Sequence, residues 1–258
     1  MKDIYTADYG DYPYPFKQQV LVVGCGGTGS YVAEGLCRIL PPKFNIVLQD
    51  YDKVEERNLL RQNFFESDLG KFKSQVLAER FARNYKREIG YKITAFNTIE
   101  ENYNILIGCV DNHQARKIIS RNFRAWWIDS GNNYQSGQVL IGNINKTELN
   151  CLKKAFDRKT LKTKCLPNPS IQEPAILTPV TAPKPPLSCA EAVEQNLQSP
   201  IINQAMATLV LQSVHSLITN SLNWMAAYID LEIGKLNYIN NELYNISCRS
   251  GLKIQELT

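Results

Sequence analysis

The chain has 258 residues, of which 44% are hydrophobic, 21% are charged and 10% are aromatic. This composition supplies enough apolar material for a sizeable core and excludes both a short peptide scaffold and a disordered chain. The formal net charge of +4 is too small to indicate a nucleic-acid-binding protein by bulk charge, so nucleic acid is not an expected partner.

The sequence carries no obvious signal for a membrane or for secretion. Uninterrupted apolar runs such as Val20 to Val23 are far shorter than the ~20 residues that a membrane-spanning helix needs. The opening stretch MKDIYTADYGDYPYPF is acidic and aromatic, whereas a signal peptide is basic and then apolar. Seven cysteines without regular spacing predict reduced thiols. We therefore expect a cytoplasmic protein with no membrane segment.

Apolar runs alternate with helix-forming segments through the first half of the chain. The predicted strands are 19–24, 44–50, 92–97, 105–110, 125–129 and 138–143, and the predicted helices are 28–40, 71–87 and 113–123. This alternation predicts an α/β, Rossmann-like fold with a mostly parallel sheet covered by helices.

The pattern changes after residue 143. Residues 143–164 hold seven basic and two acidic side chains, and residues 167–186 hold seven of the twelve prolines. A long crossover loop is therefore predicted at 144–187. A helix that begins at Ser199-Pro200 and runs to about 220 is apolar on most of its circumference, which places it in the core or in a subunit interface. An antiparallel β-hairpin is predicted at 235–248 around Asn240-Asn241.

These elements predict one domain over residues 1–258. Its predicted parts are a nucleotide-binding half at 19–143, the crossover loop at 144–187, and a C-terminal helix and hairpin at 188–258.

A glycine-rich motif, GCGGTG at 24–29, falls between the first predicted strand and the first predicted helix. Glycines there let backbone amides and the helix N-terminus approach a phosphate closely, although such turns also serve helix packing alone. Asp50 ends the second predicted strand 21 residues after Gly29, where a carboxylate typically takes ribose hydroxyls. The two features together fit either a dinucleotide or an adenine mononucleotide.

The segment that follows, DYDKVEERNLLRQNFFESDLGKFK, separates these two ligands. An NAD-dependent dehydrogenase has no need for a dense polar cluster at this place. A nucleoside triphosphate with a leaving pyrophosphate needs Arg and Lys to hold its charge. The segment favours a triphosphate.

Five motifs in this order resemble the ThiF/MoeB family, the adenylating enzymes to which the ubiquitin-activating enzymes also belong. They are the glycine loop, Asp50-Tyr51-Asp52-Lys53-Val54, Asn58-Leu59-Leu60-Arg61-Gln62, Gly70-Lys71-Phe72-Lys73 and Cys109-Val110-Asp111-Asn112. The resemblance extends from about residue 19 to 218. The stretches VGCGGTGS and LIGCVDN are most similar to the plasmid-borne PRTRC-system ThiF proteins.

The resemblance implies an ATP-dependent adenylyltransferase that activates the C-terminal carboxylate of a small ubiquitin-like or sulfur-carrier protein, and it implies a homodimer. It also implies ATP and Mg²⁺ as cofactors, with Asp111 as the magnesium ligand. The implied nucleotide-binding residues are Gly24, Gly26, Gly27, Gly29, Asp50, Asp52, Asn58, Arg61, Gln62, Lys73, Asp111 and Asn112. Arg61, Lys73, Asp111 and Cys189 are the implied catalytic residues. The alternatives are that Arg61 and Lys73 are solvated surface charges and that Asp111 caps the helix at His113.

Cys189 resembles a family cysteine that takes up the activated acyl group in some members and is dispensable in others. If Ser188 caps a helix there, the helix dipole lowers the pKa of the thiol and favours the thiolate. The alternative is a small buried residue that only packs.

Two departures from the family pattern bear on the function. Many relatives hold zinc through two Cys-x-x-Cys pairs, but Lys162 and Gly251 stand where the second cysteines would accompany Cys165 and Cys248. No zinc site is expected, because a tetrahedral thiolate site needs four ligands. An Arg-Tyr-x-Arg-Gln element is also missing, since residues 1–18 contain no arginine. A catalytically weak binding subunit is therefore one alternative, and a tRNA-modifying ATP-dependent dehydratase of the same superfamily is another.

Overall fold

The fold is built on one eight-stranded sheet, seen in a computed structural model that describes residues 18–98, 103–121, 125–153, 155–156, 163–179 and 199–258. The strands are β1 (Gln18–Val23), β2 (Phe44–Gln49), β3 (Ile89–Lys92), β4 (Ile105–Gly108), β5 (Trp126–Asn132), β6 (Ser136–Gly142), β7 (Trp224–Asp230) and β8 (Lys235–Asn240). Their order in space is β3-β2-β1-β4-β5-β6-β7-β8, parallel from β3 to β5 and antiparallel from β5 to β8. The predicted Rossmann-like α/β class with antiparallel C-terminal strands is confirmed.

Seven α-helices accompany the sheet in the described ranges. They are α1 (Gly27–Ile39), α2 (Lys73–Tyr85), α3 (His113–Ile119), α4 (Pro169–Gln172), α5 (Pro200–Ile218), α6 (Leu243–Ser250) and α7 (Ile254–Leu257). Short 3₁₀ turns occur at Glu56–Asn58, Glu66–Asp68, Lys146–Leu152 and Pro174–Leu177.

The central strands are apolar on both faces because structure covers both faces of the sheet. Val20 and Val22 of β1 point into one buried cluster, and Leu21 and Val23 point into a second. This is why β1 is a continuous apolar run and does not alternate with polar residues.

β1 pairs with β2 on one side and with β4 on the other, so the strand order reverses at β1. In open α/β sheets, ligands bind in the crevice outside the carboxyl ends of the strands at such a reversal. The glycine loop after β1, Asp50 after β2 and Asp111 after β4 all follow strands of this parallel group. The topology therefore brings the three predicted motifs to one edge.

Helix α5 packs beside α1 in a register set by two glycines. A Cβ added to Gly27 would lie 2.4 Å from Asn203 Oδ1, and one added to Gly35 would lie 2.1 Å from Leu211 Cδ1. The second contact lies eight residues after the first in both helices, so α1 and α5 run in the same direction.

The prediction for the start of α5 is confirmed, because Pro200 is its first residue and Ser199 Oγ accepts the Ile202 N–H at 3.2 Å. Within the described ranges it is the one helix long and apolar enough to cross a bilayer, but 56% of that span is buried inside the domain. Ile202, Met206 and Val210 are completely buried. Helix α5 is therefore a core helix of the domain.

The predicted position of the third strand is wrong. The strand covers Ile89–Lys92, and most of the predicted segment 92–97 forms a loop beside the cleft described below. Helix α2 ends at Tyr85, two residues before the predicted end, and its C-cap Lys86 has a positive φ of 51° that turns the chain back toward the sheet. It then pairs with β2 from Ile46↔Ile89 to Gln49↔Lys92. The side chain of Gln49 hydrogen-bonds the carbonyls of Thr94 and Ala95 beyond the end of the sheet.

The C-terminal hairpin exists, but its predicted position is also wrong. Its strands are β7 and β8, and its turn is residues 231–234, in which Gly234 has a φ of +64°. Asn240 ends β8, and the following residues form helix α6, whose one fully enclosed side chain is Ile246. The strand β7 was not predicted, and pairing with β6 explains why it forms.

Candidate functional site

An open cleft of about 1380 Å³ lies at the carboxyl edge of the parallel strands. Its walls come from the loops after β1, β2 and β4 and from parts of β6, β7 and β8. The structure brings together at this cleft eleven of the predicted nucleotide-binding residues: Gly24, Gly26, Gly27, Asp50, Asp52, Asn58, Arg61, Gln62, Lys73, Asp111 and Asn112.

The glycines of the loop have two different roles. Gly24 has a φ of +87°, and a Cβ there would lie 2.5 Å from the carbonyl oxygen of Cys109. A Cβ on Gly29 would lie 1.8 Å from the Gly24 carbonyl oxygen, and Gly29 does not line the cleft. Gly29 therefore serves close packing of the first turn of α1, while Gly24, Gly26 and Gly27 face the cleft.

The carboxylate of Asp50 is held by two backbone amides. Its Oδ2 accepts the N–H of Cys25 at 2.6 Å, and its Oδ1 accepts the N–H of Asp52 at 2.8 Å. Burial raises the pKa of Asp50, and these two hydrogen bonds oppose that rise. Each carboxylate oxygen has room for a further donor. The arrangement fits recognition of two neighbouring hydroxyl groups.

Lys73 begins α2 and is buried, with 6% of its surface exposed. Its Nζ lies 3.0 Å from Asp52 Oδ2, a carboxylate that is half exposed. A solvated surface lysine does not fit this burial, so that alternative is excluded.

The Asn58-to-Gln62 motif forms a turn over the cleft. Asn58 is buried, and its Oδ1 accepts the Glu55 N–H at 2.9 Å. Burial lowers the pKa of Arg61, as does the neighbouring charge of Arg57, whereas Asp111 raises it. The guanidinium of Arg61 is therefore partly desolvated and feels the Asp111 carboxylate.

Asn63, which follows this motif, is hydrogen-bonded to α1. The Asn63 N–H donates to Ser30 Oγ at 3.0 Å, and Asn63 Nδ2 donates to Glu34 Oε2 at 3.0 Å. Arg80 donates to the Asn63 carbonyl at 2.8 Å and forms an ion pair with Asp68. These bonds hold Arg61 and Gln62 at a fixed distance from the glycine loop.

Asp111 and Asn112 have separate tasks. Asn112 Oδ1 accepts the Ala115 N–H at 2.8 Å and so caps α3, the role that the sequence left open for Asp111. Asp111 is exposed in the cleft, and within the described ranges no hydrogen bond or ion pair engages its carboxylate. A single uncommitted carboxylate fits Mg²⁺, which takes one or two carboxylates together with phosphates and water.

Two further predictions concern cysteines: that there is no zinc site, and that Cys189 is a catalytic residue. For the first, the described residues contain no group of three or more His, Cys, Asp or Glu side chains that could hold a metal ion. Cys189 lies outside the described residues.

A buried ion pair lies under one wall of the cleft. Arg116 Nε lies 3.0 Å and 3.1 Å from the two oxygens of Asp129, which is fully buried. Burial raises the pKa of Asp129, and the Arg116 charge opposes that rise. Arg116 also donates to the Ser130 carbonyl at 3.3 Å. Asp129 was not predicted as a site residue, although a charged residue at the end of the apolar run 125–129 is a usable signal.

Asn203 of α5 was also missed. It is 1% exposed and lines the cleft beside Gly27. The signal was a polar residue in the apolar stripe that includes Met206 and Val210.

Residues 15–247 match the ThiF family. The chain belongs to that family. It is 31% identical over 175 residues to the ubiquitin-like modifier-activating enzyme 5 of Xenopus laevis, covering 55% of this chain and 43% of that protein. The enzyme of the same name from Culex quinquefasciatus is 30% identical over 185 residues, covering 59% and 45%. The chain thus spans less than half the length of these relatives.

Solved structures of low sequence identity share the fold. Escherichia coli MccB with MccA-N7isoASN superposes with a TM-score of 0.59 at 17% identity, over 87% of this chain and 65% of that chain. PaaA superposes with a TM-score of 0.58 at 15% identity, over 87% and 73%. These ThiF-like neighbours support the α/β architecture derived above.

Replacing Arg116 by Met is expected to destabilise the protein by about 3 kcal/mol, because it leaves the Asp129 carboxylate buried without a counter-charge. Adding Asp129→Asn should recover part of the loss, since the neutral amide needs no partner charge. Urea unfolding midpoints measure both effects. Lys117→Met, at an exposed neighbour on the same helix, is the control. Equal midpoints for the two Met variants would contradict the assigned role.

Proposed function

We propose that this ThiF-family protein is an ATP-dependent adenylyltransferase that activates the C-terminal carboxylate of a small ubiquitin-like or sulfur-carrier protein. The observation that carries the proposal is that three side chains meet in one cleft. They are Asp50, whose carboxylate accepts two backbone N–H groups, the partly desolvated Arg61 and the exposed Asp111. A dinucleotide-dependent dehydrogenase has no use for the last two.

In this proposal the site divides into three parts. Asp50 takes the ribose hydroxyls, and the glycine loop with the N-terminus of α1 takes the phosphates. Asp111 holds Mg²⁺, which when bound supplies positive charge to the triphosphate. The geometry described above fits each of these tasks.

The proposed reaction joins a carboxylate oxygen of the carrier to the α-phosphorus of ATP. The bond from that phosphorus to the bridging oxygen breaks, and pyrophosphate leaves with the bonding electrons. Two anions must approach each other, so the protein needs cations at the developing charge and a fixed angle of attack. Lys73, paired with Asp52, and Arg61 are the cations of the cleft assigned to this work.

The main alternative is a catalytically weak binding subunit, favoured by the absence of arginine from residues 1–18. Two other arginines line the cleft, but both are engaged. Arg57 Nε lies 2.6 Å from Glu55 Oε2, and Arg116 is held by Asp129. The tRNA-modifying dehydratase has less support, since a net charge of +4 favours no nucleic acid.

Asp111→Ala is expected to reduce carrier-dependent exchange of pyrophosphate into ATP by about a hundredfold or more, because the magnesium ligand is lost. The fold should be unchanged, since Asp111 is exposed. Glu79→Ala, at an exposed carboxylate of α2, is the matched control.

The parent protein supplies the decisive comparison. Binding of NAD in preference to Mg-ATP, measured by calorimetry, would rule out adenylation. Binding of Mg-ATP without exchange in the presence of any candidate carrier would favour the binding subunit.

We also propose that the basic segment at 143–164 steers an acidic carrier and that Cys189 accepts its acyl group. Lys153 and Lys164, which belong to this segment, lie in the described ranges, and Lys153 lies 3.3 Å from Glu256. The transfer would be attack of the Cys189 thiolate on the carbonyl carbon of the acyl adenylate. A thioester forms and AMP leaves.

Cys189→Ala should leave adenylate formation intact and remove any carrier adduct that thiols cleave. Gel electrophoresis with and without reductant detects the adduct, and Cys151→Ala, at an exposed cysteine, is the control. If the Cys189→Ala variant transfers the acyl group as fast as the parent, Cys189 is a packing residue.

A homodimer is a further proposal, and it is supported by the family resemblance. Helix α5 lends it little support, because most of its apolar surface is buried within the chain and Ile201, 68% exposed, is the exception. Light scattering at micromolar concentration should give twice the chain mass. A monomer would contradict the proposal.

We propose a cytoplasmic location, which the six free cysteines in the described ranges support. Fractionation of the source cells tests it. Assignment to the PRTRC-system branch stays a prediction from the motif wording, to be tested by the genes that neighbour this one.

A further inference from the structure

Two buried amide side chains flank the glycine loop, and each has a polar atom to which the described residues offer no hydrogen-bond partner. They are Gln62, through its Oε1, and Asn203, through both Oδ1 and Nδ2. Gln62 belongs to a family motif. Asn203 belongs to none of the five motifs and comes from α5, in the C-terminal part of the chain.

An unpartnered amide in this position is unfavourable in the ligand-free protein. Buried polar groups are nearly always paired, and leaving one unpaired costs free energy. Asn203 is 1% exposed, and its neighbours along the buried stripe, Met206 and Val210, are completely buried and apolar. A leucine would satisfy the packing of this stripe without that cost.

Asn203 lies at the end of the cleft where, in the proposed function, the glycine loop and the N-terminus of α1 take the phosphates. Its Oδ1 lies 2.4 Å, and its Nδ2 2.8 Å, from the place that a Cβ on Gly27 would occupy. Gly27 is the first residue of α1, where the backbone N–H groups have no partner within the helix and attract anions. The contact of Gly35 with Leu211, two turns along, fixes this placement.

We propose that Asn203 is a further nucleotide-binding residue, whose Nδ2 donates a hydrogen bond to a phosphate oxygen of ATP at the N-terminus of α1. This inference rests on the proposed function. The amide is neutral, so it orients the phosphate without adding charge. Arg61 and Lys73 supply the positive charge. The bound phosphate supplies the hydrogen-bond partner that the described residues do not offer this amide.

A purely structural Asn203 would behave differently. If the side chain only spaces α5 from the glycine loop, an apolar residue of the same shape should serve equally well. The two roles therefore separate in a variant that keeps the shape and removes the polar atoms.

The test compares Asn203→Leu with the parent by calorimetric titration with Mg-ATP and with adenosine. The dissociation constant for Mg-ATP should rise about tenfold or more, the effect of losing one hydrogen bond to a charged group. The affinity for adenosine, which has no phosphate, should not change. The melting temperature without ligand should be equal or higher, because an unpaired buried amide is removed.

Two further variants sharpen the comparison. Asn203→Asp keeps the shape and adds a carboxylate, so it should weaken Mg-ATP binding further through repulsion. Ser213→Ala changes a buried residue of the same helix whose hydroxyl already donates to the Val210 carbonyl at 2.7 Å, and it should leave binding unchanged. If Asn203→Leu does not fold, Asn203→Ala replaces it, with the same expected loss.

The outcomes are distinct. Parent-like affinity for Mg-ATP in the Leu or Ala variant overturns the inference and leaves the proposed function standing. An equal loss for adenosine and Mg-ATP also overturns it, because the contact would then not be with a phosphate. If the parent itself does not bind Mg-ATP, both the inference and the proposed function are wrong.

Discussion

The close approach of Gly24 to the backbone of Cys109 is the contact on which the rest of the site depends. β1 lies between β2 and β4, and the loops that follow β1 and β4 must pass each other at the same edge. They do so only because position 24 has no side chain and adopts a positive φ. That passage leaves Gly26 and Gly27 open to the cleft and puts Asp111 across from them. A bulkier loop would separate the two sides of the cleft.

Electrostatic interactions then distinguish residues that are already paired from those left for a ligand. Arg116 and Asp129 neutralise each other in the interior, and Lys73 and Asp52 do so at the border of the cleft. Asp111 has no such partner within the described ranges. A cleft in which the remaining carboxylate is exposed suits a metal that brings its own waters and phosphates. The same pairing leaves the charge of Arg116 balanced by Asp129 beneath the cleft wall.

Local sequence signals predicted the elements whose ends are determined locally. The glycine loop places the start of α1, and Ser199-Pro200 places the start of α5, because each carries its own turn or cap. β3 and the hairpin were misplaced because strand pairing decides them. Segment 92–97 has the better strand composition, yet β2 pairs with Ile89–Lys92 once α2 has ended. Asn203 was missed for a related reason, since its place in the cleft wall depends on a contact with Gly27 that no sequence spacing reveals.

The contact between α1 and α5 joins the first half of the described chain to its C-terminal part. α5 follows the crossover segment in the chain but lies against the helix that opens the glycine loop. β7, which follows α5, pairs with β6 and continues the same sheet. Without α5, the side of α1 that carries Gly27 and Gly35 would lose the cover that Asn203 and Leu211 give it. The wall of the cleft at the glycine loop is thus built from the loop after β1 and from α5, so a change in α5 acts directly on the lining of the cleft.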